Sequence, residues 1–252
     1  MTNYDDFARY YDADFQGYTD DVPLYRQMAQ RTGGPLIELM CGTGRVLVPL
    51  AEDGYHITGV DISPSMLEIA RARLEQHNLL SSVSLITGDV RSVKLPAQTF
   101  ALAFVAINSF MHLERVSDQL AALETIRQTL TPDGLLIIDL FNPNPSEIIN
   151  EDNRLILERH YPLDGRHVYK TVAVDSDIAT QTSHVTCFYD ETNLTGPMSR
   201  RVMHFTLRWL YRYELEHLLA RAGFMLKSLY GSYDLERYTS TSERLIALAA
   251  LR

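Results

Sequence analysis

Three acids and two glycines are the residues best placed by type and spacing to do chemistry. Glu38 precedes Gly42-Thr43-Gly44, Asp61 closes the run His56–Asp61, and Asp89 sits within Gly88-Asp89-Val90. An acid that ends a second strand can accept hydrogen bonds from both hydroxyls of a ribose. An acid or amide after a third strand can reach the exocyclic amine of an adenine. The backbone of the Gly turn, with the helix N-terminus behind it, can approach a compact polar tail such as an amino acid. Capping explains any one of these acids alone, but three at this spacing describe a nucleoside pocket. With no Lys nearby, they favour a ligand of net positive character over a pyrophosphate. Gly42 and Gly44 match only part of a GxGxxG turn, because Met40 and Leu47 stand where dinucleotide sites take small residues.

The elements that must position these residues alternate along the chain. The apolar pattern predicts strands at Pro35–Leu39, His56–Asp61, Val83–Thr87, Phe100–Ile107 and Leu135–Leu140. Between them it predicts helices at Gly44–Asp53, at Ser65–His77 behind a Ser63 cap and Pro64, and from a Ser117 or Asp118 cap through Leu130. Thr131-Pro-Asp-Gly134 reads as a break. Repeated βα units of this kind give an α/β, doubly wound, mostly parallel sheet. Ahead of it, Tyr4, Phe7 and Tyr11 fall at helical spacing, and Asp20 or Asp21 can cap a helix carrying Leu24, Met28 and Ala29.

After Phe141-Asn-Pro-Asn-Pro145 the pattern changes to period two, with segments at 155–161, 168–174, 183–189 and 201–207 separated by polar turns. This predicts an antiparallel insertion without a core of its own, packed on the sheet's open edge or on another copy of itself. A helix at Tyr211–Ala222, ended by Gly223, and strands at Phe224–Tyr230 and Leu245–Leu251 close the chain. The expected units are an N-terminal helical lid (1–34), a core (35–150), the insertion as substrate lid or dimer surface (151–208), and a closing helix and strands (209–252).

Composition bounds the function. The chain has 252 residues, 46% hydrophobic and 22% charged, which suits a packed core. A formal charge of −9 weighs against a surface built to neutralise phosphates. Cys41 and Cys187 are the two cysteines, far apart and at no metal-ligand spacing. The N-terminus lacks the apolar centre of a signal peptide, and no apolar run approaches the ~20 residues of a membrane helix. The expectation is a cytoplasmic protein with no nucleic-acid or membrane partner and no metal, a monomer or homodimer.

The chain resembles a class I S-adenosylmethionine-dependent methyltransferase. The resemblance rests on Glu38-Leu-Met-Cys-Gly-Thr-Gly-Arg45, Gly59-Val-Asp-Ile-Ser63 with Met66-Leu67, Gly88-Asp-Val90, Asn108-Ser-Phe-Met-His-Leu113 and Leu130-Thr-Pro-Asp-Gly134. It covers 35–140 closely and the C-terminal elements more loosely. It implies a Rossmann-like seven-stranded sheet ending in an antiparallel pair, which a dinucleotide enzyme would not share. S-adenosyl-L-methionine, with a sulfonium and an ammonium, also fits the net-positive ligand read from the acids. By resemblance, Glu38 orders the turn, while Gly42 and Gly44 let the backbone meet the methionine moiety, with Met40 contributing backbone where the family has a small residue. Asp61 holds the ribose, Ile62 and Met66 sandwich the adenine, and Asp89 with the Val90 amide reads its edge. Tyr11 covers the cofactor, and Asn108 opens the segment facing the methyl group.

The expected activity is methyl transfer to nitrogen or oxygen of a small-molecule acceptor, by in-line displacement. His112, with an ordinary pKa near neutrality, is the candidate base; packing beside the next helix is its structural alternative. His160, His167, His184 and His204 read as surface or lid residues. Tyr161, Tyr169, Phe188, Tyr189 and Trp209 can line an acceptor pocket or simply pack. A cofactor-binding protein without catalysis and a nicotinamide-dependent oxidoreductase are the alternatives. Replacing Asp61 with Ala should weaken cofactor binding by about 1–3 kcal/mol, the scale of lost hydrogen bonds to a charge; calorimetry with the demethylated cofactor checks this, and unchanged affinity would remove Asp61 from the site.

Overall fold

The computed structural model describes residues 4–193 and 195–252. Residues 1–3 of the expected N-terminal lid and Leu194 of the expected turn lie outside them. The chain runs α1 (Ala8–Phe15), α2 (Val22–Thr32), β1 (Leu36–Leu39), α3 (Leu47–Glu52), β2 (Ile57–Asp61), α4 (Pro64–Gln76), β3 (Val83–Thr87), β4 (Phe100–Val105), α5 (Val116–Thr129) and β5 (Leu130–Phe141). It continues with α6 (Pro145–Glu151), β6 (Leu155–Leu163), β7 (Arg166–Asp177), β8 (Thr182–Thr192), β9 (Ser199–Arg208), α7 (Arg212–Arg221), β10 (Phe224–Tyr230) and β11 (Arg244–Leu251). Single 3₁₀ turns precede α1 (Tyr4–Phe7) and follow β4 (Ser109–His112).

Seven strands form one sheet in the order β10-β11-β5-β4-β1-β2-β3, with β11 antiparallel to both neighbours. The central strands are buried on both faces, and alternation sorts their side chains. Leu102 and Phe104 of β4 join Tyr25 and Met28 of α2 on one side, while Ala103 and Val105 join Leu123 and Ile126 of α5 on the other. This is the α/β doubly wound, mostly parallel sheet expected from the sequence. The strand order reverses between β1 and β4, so a crevice opens beyond their C-terminal ends. The Gly turn follows β1 and the Ser109–His112 turn follows β4, which puts both on that crevice.

Several local expectations shift. The helix after the Gly turn starts only at Leu47, because Gly44 is left-handed at φ +73° and the chain stays in turns through Val46. Asp21 occupies the N-cap position of α2, one of the two expected, but its side chain makes no capping bond; the buried carboxylate takes both terminal nitrogens of Arg45 at 2.6 Å. Ser117 and Asp118 lie inside α5 behind an Arg115 N-cap, and Asp118 pairs with Arg91 instead. The Thr131–Gly134 break is a bulge inside β5, where the register jumps from Leu130 to Leu135 against Phe100 and Leu102. α6, capped by Asn144, has no counterpart in the sequence reading.

Residues 155–208 form the four-stranded antiparallel sheet β6-β7-β8-β9. Its first hairpin turns at Asp164-Gly165, both left-handed. It shares no ladder with the seven-stranded sheet, contrary to the edge packing expected. Instead Val168, Val185, Cys187, Tyr189 and Met203 pack on the fully buried Tyr10 of α1. The insertion therefore finds its core against the N-terminal helix. Asp14, also buried, accepts from Tyr161 at 2.8 Å and Tyr189 at 2.9 Å and pairs with Lys170 at 2.8 Å. Among the described residues, no helix is long and apolar enough to cross a membrane.

Ser63 behaves as the sequence predicts: Pro64 opens α4 and the Ser63 hydroxyl accepts the Met66 N–H at 3.2 Å. Ser63→Ala should lower folding stability by about 1 kcal/mol, measured as a lower urea midpoint at unchanged m-value.

Candidate active site

A cleft of about 460 Å³ lies at the switch point, within the usual size of small-molecule sites. Tyr11, Met40, Gly42, Asp61, Ile62, Met66, Asp89, Val90 and His112 line it, so most of the candidate residues converge there. Glu38, Gly44 and Asn108 do not. Glu38 is buried behind the turn on an adjoining cavity of about 20 Å³ that Tyr11 and Met40 also line. Gly44 packs beneath the turn, where a Cβ would stand 3.0 Å from Ala70 Cβ. The Asn108 side-chain oxygen turns away to accept from the Phe141 N–H at 2.6 Å and from Arg244 at 3.3 Å, and Ser109 takes its place on the wall.

One end of the cleft is built by β1, β2 and β3. Asp61 accepts the Gly42 N–H at 2.7 Å through one oxygen and the Ser63 N–H at 2.9 Å through the other, so it fixes the turn before any ligand does. Burial lifts its pKa, and these backbone donors oppose the shift. Gly42 is left-handed at φ +54°, and a Cβ there would meet the Tyr11 ring at 3.3 Å. This is where absence of a side chain lets α1 close on the turn. Ile62, 44% exposed, and buried Met66 both line the cleft and give it apolar surface on which a flat ring could rest.

Arginine was invisible to the sequence argument about charge. Asp89 is held by Arg91 through both oxygens, at 2.9 and 3.0 Å from Nε, and Arg91 also reaches Asp118 at 3.2 Å. These contacts hold the Asp89 pKa below its usual value. Arg91 and Arg115 line the cleft, so its acids are not without cationic company.

The other end is built by the Ser109–His112 turn, the N-terminal 3₁₀ turn and β9. Here lie Tyr4, Ser109 and Leu113, from the expected lid and the segment expected to face the methyl group, with Glu114, Arg115, Asp118 and Thr206, which the sequence did not single out for this site. Tyr4 shared a helical face with Tyr11 and could have been found from that spacing. Thr206 lies 94 residues from His112 and has no local signal. The Tyr4 hydroxyl is 3.0 Å from His112 Nε2 and 3.2 Å from Nδ1, and Phe205 meets the same ring edge-on at 5.5 Å. Burial lowers the His112 pKa from 6.5 to about 4, against a backbone hydrogen bond to Thr206 that favours the charged ring. The near-neutral base expected from its reference pKa is thus replaced by a ring kept neutral. Tyr161 and Tyr189 close on Asp14, Tyr169 stacks on His160, Phe188 lies under Arg200, and Trp209 joins the main core; none lines the cleft. Cys41 is buried with its pKa raised, which suits packing rather than reaction.

The residues fit a cofactor of the expected kind. Glu38 Oε2 is buried without a hydrogen-bond partner among the described residues, an acceptor left for a cationic group or water at the turn. The Gly42 cradle, the backbone-fixed Asp61 and the Ile62–Met66 pair match a polar tail, a ribose and a flat base.

Because the His112 pKa is depressed, the unfolded chain binds this proton first. Stability from this residue should fall as pH drops from about 6.5 toward about 4. In a histidine-labelled sample, NMR should find the His112 ring still neutral at pH 5, and a His112 midpoint near 6.5 would contradict its burial.

Known proteins resemble this chain in sequence and in fold. Residues 36–134 match the family model of a methyltransferase domain. The cypemycin N-terminal methyltransferase of Streptomyces sp is 28% identical over 227 residues, covering 90% of this chain and 86% of the relative. Among solved structures, an S-adenosylmethionine-dependent methyltransferase from Clostridium acetobutylicum shares the fold at a TM-score of 0.80, with 17% identity over 98% of both chains. The SAM-bound CalS10, an amino pentose methyltransferase from Micromonospora echinaspora involved in calicheamicin biosynthesis, superposes at 0.73, with 22% identity over 96% of both. The match runs from β1 into β5, so this chain carries a methyltransferase domain, in a sheet whose closing antiparallel pair it shares with class I S-adenosylmethionine-dependent methyltransferases.

Proposed function

We propose that this enzyme transfers a methyl group to a nitrogen of a small-molecule acceptor, and that the acceptor sits at the Tyr4–His112 end of the cleft. The observation that carries this reading is the pairing of Tyr4 with a His112 ring kept neutral by burial. Two relatives point the same way by name, one an amino pentose methyltransferase and one an N-terminal methyltransferase.

When bound, S-adenosyl-L-methionine supplies an electrophilic methyl on a sulfonium that leaves as a neutral thioether. The chain supplies position and a dry setting. Asp61 would hold the ribose hydroxyls, Ile62 and Met66 the base, Asp89 and the Val90 amide its edge, and Tyr11 would cover the turn. A neutral imidazole has one lone pair, and the Tyr4 O–H donates to it. The Tyr4 oxygen then keeps lone pairs for an acceptor N–H, so the pair holds a neutral amine with its own lone pair free for in-line attack. His112 at a pKa of about 4 does not retain a proton near neutrality, so the proton of the new ammonium product leaves with it or passes to water. In this reading His112 orients Tyr4 instead of acting as the base.

The N-terminal segment and the insertion together form the lid over this end. Arg9 joins Asp164 at 3.0 Å, and Tyr10 bonds Glu191, so α1 and the insertion share polar seals. Thr206 of β9 reaches the cleft itself.

Incubation with the cofactor and matched panels of primary amines, peptide N-termini and alcohols tests the proposal, read as released demethylated cofactor and product mass. Methylation mapped to nitrogen is the expected result. Transfer confined to oxygen or carbon, or none in any panel with the cofactor bound, would overturn it.

A further inference from the structure

Ile107 and Asn108 join β4 to the Ser109–His112 turn, and both are left-handed, at φ +32° and +59°. Isoleucine is β-branched and rarely adopts such a conformation, so something around this joint must over-determine it. The surroundings are a buried polar node that the methyl-transfer reading does not use. Asp139, fully buried near the end of β5, accepts the Ile107 N–H at 3.2 Å through its side chain and the Asn108 N–H at 2.9 Å through its carbonyl. Arg244 at the start of β11 donates from Nε to Asp139 at 2.9 Å, and from Nη2 to both Asp139 and the Asn108 side chain. Tyr233 completes the carboxylate at 3.1 Å, with Tyr25 at 3.5 Å. One guanidinium thus spans β5, β11 and the strained joint.

The geometry points to Asp139 and Arg244 as positioning residues that lock the Ile107–Asn108 joint and so seat His112 and Ser109 at the acceptor end of the cleft. Neither touches the cleft; both act through Asn108. Asn108, a cofactor contact by resemblance, is here the link between node and turn. Arg is required because its planar fork can hold a carboxylate and an amide oxygen together, which an ammonium at one point cannot do with the same geometry. Gly42, Asp61 and Asp89, at the other end of the cleft, take their hydrogen bonds from other groups.

The role rests on the acceptor-end reading of the Ser109–His112 turn, but its test needs no acceptor. Arg244→Met leaves Asp139 as an unpaired buried charge and could unfold the chain, so the decisive variant is Asp139→Asn with Arg244→Met, which removes both charges. His112 ring signals are followed by NMR against pH, and S-adenosyl-L-homocysteine binding is measured by calorimetry. In the double variant the His112 midpoint should move from about 4 toward about 6.5, with product-cofactor affinity within about two-fold of the parent. Arg244→Lys, which keeps the charge but not the fork, should give an intermediate midpoint. A parent-like His112 titration in a folded double variant would overturn the positioning role, whatever the acceptor panels return. Parallel loss of product-cofactor binding would overturn it too, by showing a general scaffold effect.

Discussion

The carboxylate of Asp61 is the joint on which the donor end turns. Its two oxygens take N–H groups from separate loops, Gly42 after β1 and Ser63 after β2. Parallel strands leave their ends unconnected, and here one side chain makes the connection. Ser63 then caps α4, and its hydroxyl also donates to Asp5 at 2.5 Å, so the N-terminal turn docks on the same helix end. Arg73 of α4 reaches Asp12 and the Thr43 carbonyl at 3.1 Å, which ties α1 to the Gly turn a second time. The Asp61 contacts join the two loops directly, and the Arg73 contacts hold the turn, α4 and the N-terminal segment to one another from the other side.

A second layer of order comes from buried charge. Asp14, Asp21 and Asp139 are each 3% exposed or less, and each is met by a basic side chain, Lys170, Arg45 and Arg244. Buried pairs of this kind add little net stability but make any other packing expensive, because a lone buried charge costs several kcal/mol. Each pair joins elements distant in sequence. Asp14–Lys170 sets the insertion on α1, Asp21–Arg45 sets α2 on the Gly turn, and Asp139–Arg244 sets β11 on β5 and the Ile107–Asn108 joint. They specify one arrangement of parts that apolar burial alone would leave interchangeable.

The alternating βα core and the period-two insertion were legible because each element carries its own pattern. Strands in the insertion were placed within a few residues of their observed limits, and Ser63-Pro64 marked the start of α4 without ambiguity. The donor end was legible for the same reason: Gly42, Asp61 and Asp89 sit at strand ends whose order local sequence predicts. What escaped depends on long-range partners. Asp21 reads as a cap until Arg45 is seen beside it, and Asp89 reads as unpaired until Arg91 folds back. His112 reads as a near-neutral base because burial by Tyr4, Phe205 and Thr206 is written some 90 to 110 residues away from it. The insertion's seat on α1 was missed because Tyr10 is the buried member of an aromatic cluster in which Tyr4, Phe7 and Tyr11 carried the helical spacing.

The spread of the cleft along the chain has a kinetic side. Its donor end closes through short-range links, 19 residues from Gly42 to Asp61 and two from Asp61 to Ser63. Its acceptor end closes through links of 108 residues between Tyr4 and His112 and 105 between Asp139 and Arg244. Contacts of high sequence separation form late in folding, and segments held by few of them open at lower free energy than the core. A nascent chain could therefore complete the donor half soon after β3 emerges, while the acceptor half must wait for β11, the last strand made.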